Sequence, residues 1–582
     1  MNANMPVTSQ VSALIELLLS LATGPHDKTS EFVDRLFSMP LEVLEVIFLQ
    51  VSHVCITHKD SEAQSLIHFM LRLSGQSLYA ALRLAWAVDS VQEVFTAVGL
   101  GVRIKELQDR IESFAINRRG ITPTDSHGDM TETVMRKELR LKVFNDERAF
   151  LNVVTNLSGR LLSYSDRHLR QSELRKALSI INSSLSSQWL IYPFGHSGDP
   201  VRWIVRIAVE DCVVFFSRQR APFLLRCEVI VDDTATMADP TVTKLRLSDG
   251  RFKLAADSDQ FFDSCSSAEK SGGRELCLSE VGDTSLDSKH FQKVFGGSPE
   301  VRMLRLRGKS PFGSHPNWDV ASLIVKSGDD LRQEELALQL VEFFNRIWRE
   351  AGLTCSVFPY RALSVSAESG VIECINDACS IDSIKKQCQL AYLPQFFNEA
   401  FGPRGSAGFR KAQRNFVETM AGYSIFTYIM QVKDRHNGNI MIMRDGRLLH
   451  IDFGFMLVTS PGGLKFESAP FKLSQELLEV MDGACSASFD YFKVLLFQGM
   501  MAVRHRAEEI LALVSLMASR NTMSCFGTNP HLAIEQLRSR FRLDLETEAD
   551  VALYVRELIL ESVDNWRTRR YDQFQTLQNG IL

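Results

Sequence analysis

Two short loops at a fixed spacing constrain this chain most tightly. Residues 431–439 read Gln-Val-Lys-Asp-Arg-His-Asn-Gly-Asn, and residues 450–455 read His-Ile-Asp-Phe-Gly-Phe as a strand running into a turn. Asp452 lies 13 residues beyond Asn439. Upstream, residues 321–325 (Ala-Ser-Leu-Ile-Val) form a β-rich run that ends at Lys326. A helical pattern follows from Asp330, with Glu334 in its first turns. A chain that keeps strand, helix, loop and strand–turn in this order needs a mixed α+β core.

The residue types fit phosphoryl transfer. That chemistry needs a cation for nucleotide phosphates, a carboxylate to fix the cation, and hard oxygen ligands for Mg²⁺. It also needs a polar group that receives or orients the acceptor hydroxyl. Lys326 supplies the cation and Glu334 the fixing carboxylate. Asn439 and Asp452 supply metal ligands, and Asp434 and His436 remain for the acceptor. Asp434 stands five residues before Asn439, as in the protein-kinase loop H-R-D-x-x-x-x-N, but the order here is D-R-H. Taken singly, Asp434, Asn439 and Asp452 would read as turn and capping residues. Their joint spacing with an upstream strand lysine is far more specific.

The remaining sequence divides by period. Residues 8–112 read as stacked helices, with Leu14, Leu17, Leu18 and Leu21 on one face and Leu66, Phe69, Met70 and Leu73 on another. Residues 113–142 lack an apolar period and read as a flexible linker. A helical pattern returns at 147–185, and 201–231 alternates as a sheet. Residues 232–300 hold 8 basic and 13 acidic side chains and read as a disordered insert. That insert accounts for the whole net charge of −5; the other 513 residues balance.

Composition sets outer limits. The chain has 582 residues, 45% hydrophobic and 23% charged, enough for large cores without staples. Its charge gives no support to bulk binding of nucleic acid. Eleven cysteines form no C-x-x-C pair, which fits buried thiols in a reducing compartment. The apolar run 11–21 is too short to span a membrane and carries Glu16. Any membrane contact is expected to be peripheral.

Several stretches resemble the phosphatidylinositol 3-/4-kinase superfamily, and within it the type III beta phosphatidylinositol 4-kinases. They are SLIVKSGDDLRQEELALQL, SGVIECINDACSIDSIKKQ, RNFVETMAGYSIFTYIMQVKDRHNGNIM, LLHIDFGFML, FESAPFKL and YDQFQTLQNGIL. The similarity is dense over 301–582 and weak before it. It implies an all-α helical domain (1–112) and linker (113–142) before a bilobal, protein-kinase-like α+β domain (143–582). The N-lobe, about 143–375, would hold the insert 232–300, and the C-lobe would follow at about 376–582. The resemblance makes Lys326 the phosphate lysine and Glu334 its partner, with Tyr360 behind the nucleotide. It assigns Ile372, Glu373 and Ile375 to a hinge for the adenine edge and Met441 to the adenine floor. Asn439 and Asp452 become the Mg²⁺ ligands, with Mn²⁺ an alternative metal. Asp434 and His436 form the catalytic loop, either one a base. No G-x-G-x-x-G precedes Lys326; a turn with Ser310 and Gly313 takes the phosphate-loop role.

The implied activity is transfer of the ATP γ-phosphate to the 4-hydroxyl of phosphatidylinositol. Residues 455–472 carry only Lys465, Glu467 and Lys472 as charged side chains. Each further headgroup phosphate would call for more Lys or Arg, so this segment favours unmodified phosphatidylinositol, with Lys465 and Lys472 as its contacts. Residues 563–582 place Tyr571, Phe574, Leu577 and Ile581 near Arg567, Arg569 and Arg570, a pattern suited to a membrane-pressing helix. The resemblance also implies a cytoplasmic protein peripheral on Golgi membranes, with a small GTPase or calcium-sensor partner. Other readings are a related protein serine/threonine kinase, or a catalytically silent helical scaffold.

Overall fold

Apolar residues at helical spacing turn inward along the first part of the chain. The computed structural model describes residues 7–23, 35–36, 38–57, 60–97, 99, 101–117, 130–215, 220–242, 245–248, 251–254, 289–461, 469–520 and 522–582. Helices α1 (Val7–Thr23), α2 (Phe48–Thr57), α3 (Asp60–Gln76), α4 (Leu78–Asp89) and α5 (Gly101–Asn117) open the fold. Leu14, Leu17 and Leu18 of α1 are buried, as are Leu66, Phe69, Met70 and Leu73 of α3; the Leu21 side chain lies outside the described residues. Ser77 starts α4 by accepting the Ala80 N–H at 3.1 Å, a cap worth about 1 kcal/mol.

Helix occupies both ends of the stretch that the sequence reads as a linker. α5 runs on to Asn117, and α6 (Met130–Leu161) begins well before residue 142; residues 118–129 lie outside the described set. Arg140 ties the two ends together. It looks like a solvent residue in sequence, yet it is fully buried and donates to the Ala115 carbonyl at 2.6 Å. α7 (Arg167–Leu185) follows.

The chain divides into two compact units. The first holds the helices above and an antiparallel sheet. Its strands are β1 (Leu190–Ile191), β2 (Pro200–Ile207), β3 (Val213–Val214), β4 (Phe223–Thr236), β7 (Trp318–Ser327), β8 (Ala362–Ser366) and β9 (Ser369–Glu373). The order is β1-β2-β4-β7-β9-β8, with β3 paired to β4. Trp203 of β2 is fully buried and meets Trp189 edge to face at 5.0 Å. The insert is partly ordered: β4 enters it, β5 (Leu245–Ser248) pairs with β6 (Arg251–Leu254), and a helix spans Lys289–Phe295. Phe291 and Phe295, one helical turn apart, bury against Phe401 and Phe396 in the second unit's own core. Residues 255–288 lie outside the described set.

The second unit contains α8 (Arg332–Glu350) from Gln333 on, and the sheet β10 (Ala378–Ser380), β11 (Ile440–Met443) and β12 (Leu448–His450). Among its helices are α9 (Ile381–Cys388), α10 (Leu393–Ala400), α11 (Ala407–Met430), α12 (Ala487–His505), α13 (Glu548–Ser562) and α14 (Trp566–Asn579). α11 and α12 approach closely at Gly499, where a Cβ would stand 2.6 Å from Ile425. Gln431 ends α11 in a left-handed conformation (φ 50°) and turns the chain into the loop 431–439. β11 and β12 form a hairpin with Ile440 opposite His450 and Met441 opposite Leu449. Gly446 closes it at φ 86°.

Candidate active site

Arg435 joins the two sequence loops. The residue is 4% exposed, and its guanidinium donates to the carbonyls of Lys433 (2.9 Å), Ile451 (2.8 Å) and Asp452. Two backbone bonds reinforce it: Ile451 N–H to Asn439 O at 3.1 Å and Lys433 N–H to Phe455 O at 2.9 Å. Asp434 and Asp452 both sit at positive φ, 62° and 61°. Such conformations carry strain on the order of 1 kcal/mol or more and persist when neighbours over-determine them.

Asp434, His436 and Asn439 lie together on one loop. Asn439 donates its amide N–H to the Asp434 carbonyl at 2.9 Å. His436 Nε2 is 3.7 Å from Asp434 Oδ1. The Gly438 N–H donates to His436 Nδ1 at 3.1 Å, so in this arrangement the ring proton sits on Nε2. Burial lowers the His436 pKa, and the Asp434 charge opposes that shift. Asp452 is exposed, with Oδ1 accepting the Gly454 N–H at 3.2 Å.

Glu334 and Tyr360 form one unit within this half of the chain. Tyr360 donates its hydroxyl to Glu334 Oε1 at 2.9 Å, and the Phe453 N–H donates to Oε2 at 2.7 Å. Gln333 adds a bond to the Phe453 carbonyl at 2.8 Å. Burial and the Glu334 charge hold the Tyr360 phenol well above its usual range. Tyr360 therefore fixes the carboxylate, a role the sequence did not suggest for it.

Met441 is half-buried on β11, on the opposite face from buried Ile440 and Ile442. Ile375 is half-buried and also lies in the second unit.

Lys326, Ile372 and Glu373 lie in the first unit. Lys326 ends β7 opposite Gly370, and Ile372 pairs with Ile324. Glu373 donates its N–H to Arg361 O at 2.8 Å. The Ser310–Gly313 turn is tight. A Cβ on Gly313 would meet the Arg307 carbonyl at 2.0 Å, so only glycine fits. The Ser310 hydroxyl donates to buried Glu228, which also accepts from Arg206 and from Trp318 Nε1 at 3.1 Å. The serine thus braces the turn from behind rather than standing open for a phosphate.

Lys472 corrects its sequence reading as a headgroup contact. It is buried, and its ammonium donates to Asp572 Oδ1 at 2.7 Å and Asn437 Oδ1 at 3.1 Å. Lys465 lies outside the described residues. The apolar stripe at the C-terminal end also splits. Tyr571 turns inward and donates to Asp434 Oδ1, while Phe574 and Leu577 are exposed. Sequence reasoning missed the contacts of Arg435, Asn437 and Tyr571. Arg435 carried a signal, its place between two expected site residues.

Residues 321–526 match the family described as phosphatidylinositol 3- and 4-kinase. This chain carries a domain of the phosphatidylinositol 3- and 4-kinase family. The matched span contains Lys326, Glu334, the loop 431–439 and Asp452, and so covers most of the polar groups above. A phosphatidylinositol 4-kinase of Dictyostelium discoideum is 45% identical over 296 residues, 51% of this chain and 25% of that protein. Phosphatidylinositol 4-kinase beta 2 of Arabidopsis thaliana is 50% identical over 287 residues, 48% of this chain and 25% of that protein. Phosphatidylinositol 4-kinase beta of Homo sapiens is 32% identical over 503 residues, 75% of this chain and 60% of that protein. The chain therefore spans a quarter of the first two relatives and about three fifths of the human one.

Proposed function

We propose that the chain is an ATP-dependent phosphatidylinositol 4-kinase. The observation that carries the reading is the Arg435 tie, which fixes a D-R-H-x-x-N loop to a D-F-G turn inside the matched kinase domain. Relatives named phosphatidylinositol 4-kinase supply the substrate and the 4-hydroxyl. Lys326 would hold the nucleotide phosphates, and Glu334 would be the fixed carboxylate beside the D-F-G turn. The Ser310–Gly313 turn would offer its backbone to the phosphates. Ile372, Glu373 and Ile375 would take the adenine edge, and Met441 would lie under the ring.

Asn439 and Asp452 suit Mg²⁺ or Mn²⁺. They offer hard oxygens, and no sulfur or imidazole stands among the donors. The Asn439 amide nitrogen is already bonded to Asp434 O, which leaves its oxygen as the end that would coordinate. Among the described residues no cluster of three His, Cys, Asp or Glu could hold a metal alone, so the nucleotide phosphates would complete the coordination. When bound, the metal neutralises charge on the transferring phosphoryl group.

Asp434 is the better candidate for the acceptor proton. His436 has its Nδ1 occupied by Gly438 and its proton on Nε2, so it is placed to donate rather than to accept. Membrane contact would be peripheral. No described helix is long and apolar enough to cross a membrane, and Trp566, Phe574 and Leu577 are 60, 53 and 89% exposed. A Golgi location and a small-GTPase or calcium-sensor partner rest on the family resemblance.

The test is radiolabelled ATP with phosphatidylinositol vesicles, wild type against Asp452→Ala. Wild type should yield phosphatidylinositol 4-phosphate and the variant none. No lipid product from wild type would overturn the reading, and phosphate on the 3-hydroxyl would overturn the regiochemistry alone.

A further inference from the structure

Tyr571, Gln575 and Asn579 follow at i, i+4 and i+8 on α14 and share one face. Asn579 Nδ2 donates to Gln575 Oε1 at 2.6 Å. Gln575 Nε2 donates to the Tyr571 hydroxyl at 2.7 Å. The Tyr571 hydroxyl donates to Asp434 Oδ1. Every donor in the chain points toward Asp434. Because Gln575 occupies the phenol oxygen as a donor, the single hydroxyl proton is directed at the carboxylate. Gln575 Nε2 itself stands 3.5 Å from Oδ1. Tyr571 and Gln575 are each 7% exposed, so water competes little for these bonds. Aligned bonds in a low-dielectric setting polarise and strengthen one another.

The helix is also clamped in place by residues outside this chain of bonds. Asp572 pairs with Lys472, and Lys472 and the Leu582 carbonyl both bond Asn437, two residues before Asn439. The end of α14 is thus held against the catalytic loop independently of Tyr571.

We propose that Tyr571 is a positioning residue for phosphoryl transfer. The polarised chain from Asn579 through Gln575 to Tyr571 fixes the rotation of the Asp434 carboxylate for the acceptor hydroxyl. This rests on the reading of Asp434 as proton acceptor. A tyrosine that merely packs would affect stability alone. One that blocks the acceptor's place would, when shortened, raise the rate.

The test is steady-state kinetics with ATP, Mg²⁺ and phosphatidylinositol vesicles. Tyr571→Phe keeps the ring and removes the proton. It should lower kcat about tenfold and leave KM for ATP and lipid within about twofold, since orientation contributes a fraction of the ~10²–10⁴ typical of general-base catalysis. Gln575→Met, which leaves Tyr571 in place, should lower kcat about threefold. The double variant should be no slower than Tyr571→Phe, because the chain is already broken. Unchanged or raised kcat in Tyr571→Phe, or multiplying losses in the double variant, would overturn the proposal. Asp434→Asn is run beside them. If it is inactive while Tyr571→Phe is fully active, only the positioning role falls. If Asp434→Asn stays active, the proton-acceptor reading falls and takes the positioning role with it.

Discussion

Replacing Arg435 with lysine keeps the charge and removes the fork. The guanidinium makes three bonds to carbonyls of two separate segments, Lys433 on one side and Ile451 and Asp452 on the other. Hydrogen bonds to a buried charge are worth about 1.5–3 kcal/mol each. A lysine at this position reaches one carbonyl, so two bonds are lost and about 3–6 kcal/mol of local stabilisation goes with them. The left-handed backbone at Asp434 and Asp452 then loses its restraint and relaxes. Misplacement of reacting groups by about 1 Å costs on the order of 100-fold in rate. Arg435→Lys should therefore cut kcat on phosphatidylinositol vesicles by about 100-fold. It should also lower the melting temperature, by about 2–4 °C for each kcal/mol in a domain of this size. ADP release with lipid and a thermal melt measure the two effects. A variant with more than half the wild-type kcat would refute the idea that this fork sets the geometry.

Two further substitutions probe buried ionisable groups. Glu147 is fully buried on α6, with one oxygen accepting the Ile191 N–H at 3.0 Å, and burial pushes its pKa up to about 8. It stays protonated in the fold while the unfolded chain ionises near 4.5, so stability falls as pH rises from about 4.5 to about 8. Glu147→Gln should remove that loss, raising the melting temperature at pH 8 and changing it little at pH 4.5; parallel melting profiles across that range would count against it. Lys472→Met should destabilise by about 2–3 kcal/mol by leaving Asp572 without its buried cation, with KM for phosphatidylinositol within about twofold of wild type. A tenfold rise in that KM at unchanged stability would return Lys472 to the headgroup.

The sequence was most legible where function compresses into a few adjacent letters. Residues 434–439 and 450–454 carry the motifs that resemble the family and fall inside the matched span, and the alternation over 201–231 yields β2, β3 and β4. What stayed hidden depends on partners far along the chain. Tyr571 meets Asp434 across 137 residues, and Lys472 meets Asp572 across 100. Periodicity sees an aromatic stripe and a loop lysine; only the fold shows which polar atoms face them. Arg140 shows the same limit, since a buried arginine bonded to a carbonyl leaves no mark in a hydropathy pattern. The insert misled for a simpler reason. Its acidic, serine-rich middle masked the pair Phe291 and Phe295 at its end.

The β11–β12 hairpin behaves as a gauge. Its pairing runs from Ile440 with His450 to Ile442 with Leu448, and Met443 closes the turn by donating to the Arg447 carbonyl at 2.7 Å. Gly446 sits so close to Ala412 that an added Cβ would stand 2.7 Å away. The reach from Asn439 to Asp452 is therefore set by counting residues. One residue gained in β11 would reverse its faces, sending Met441 inward and Ile440 and Ile442 toward solvent. Most letters within the gauge, Gly446 excepted, can change while its length cannot, and engineered insertions belong on the far side of Phe455.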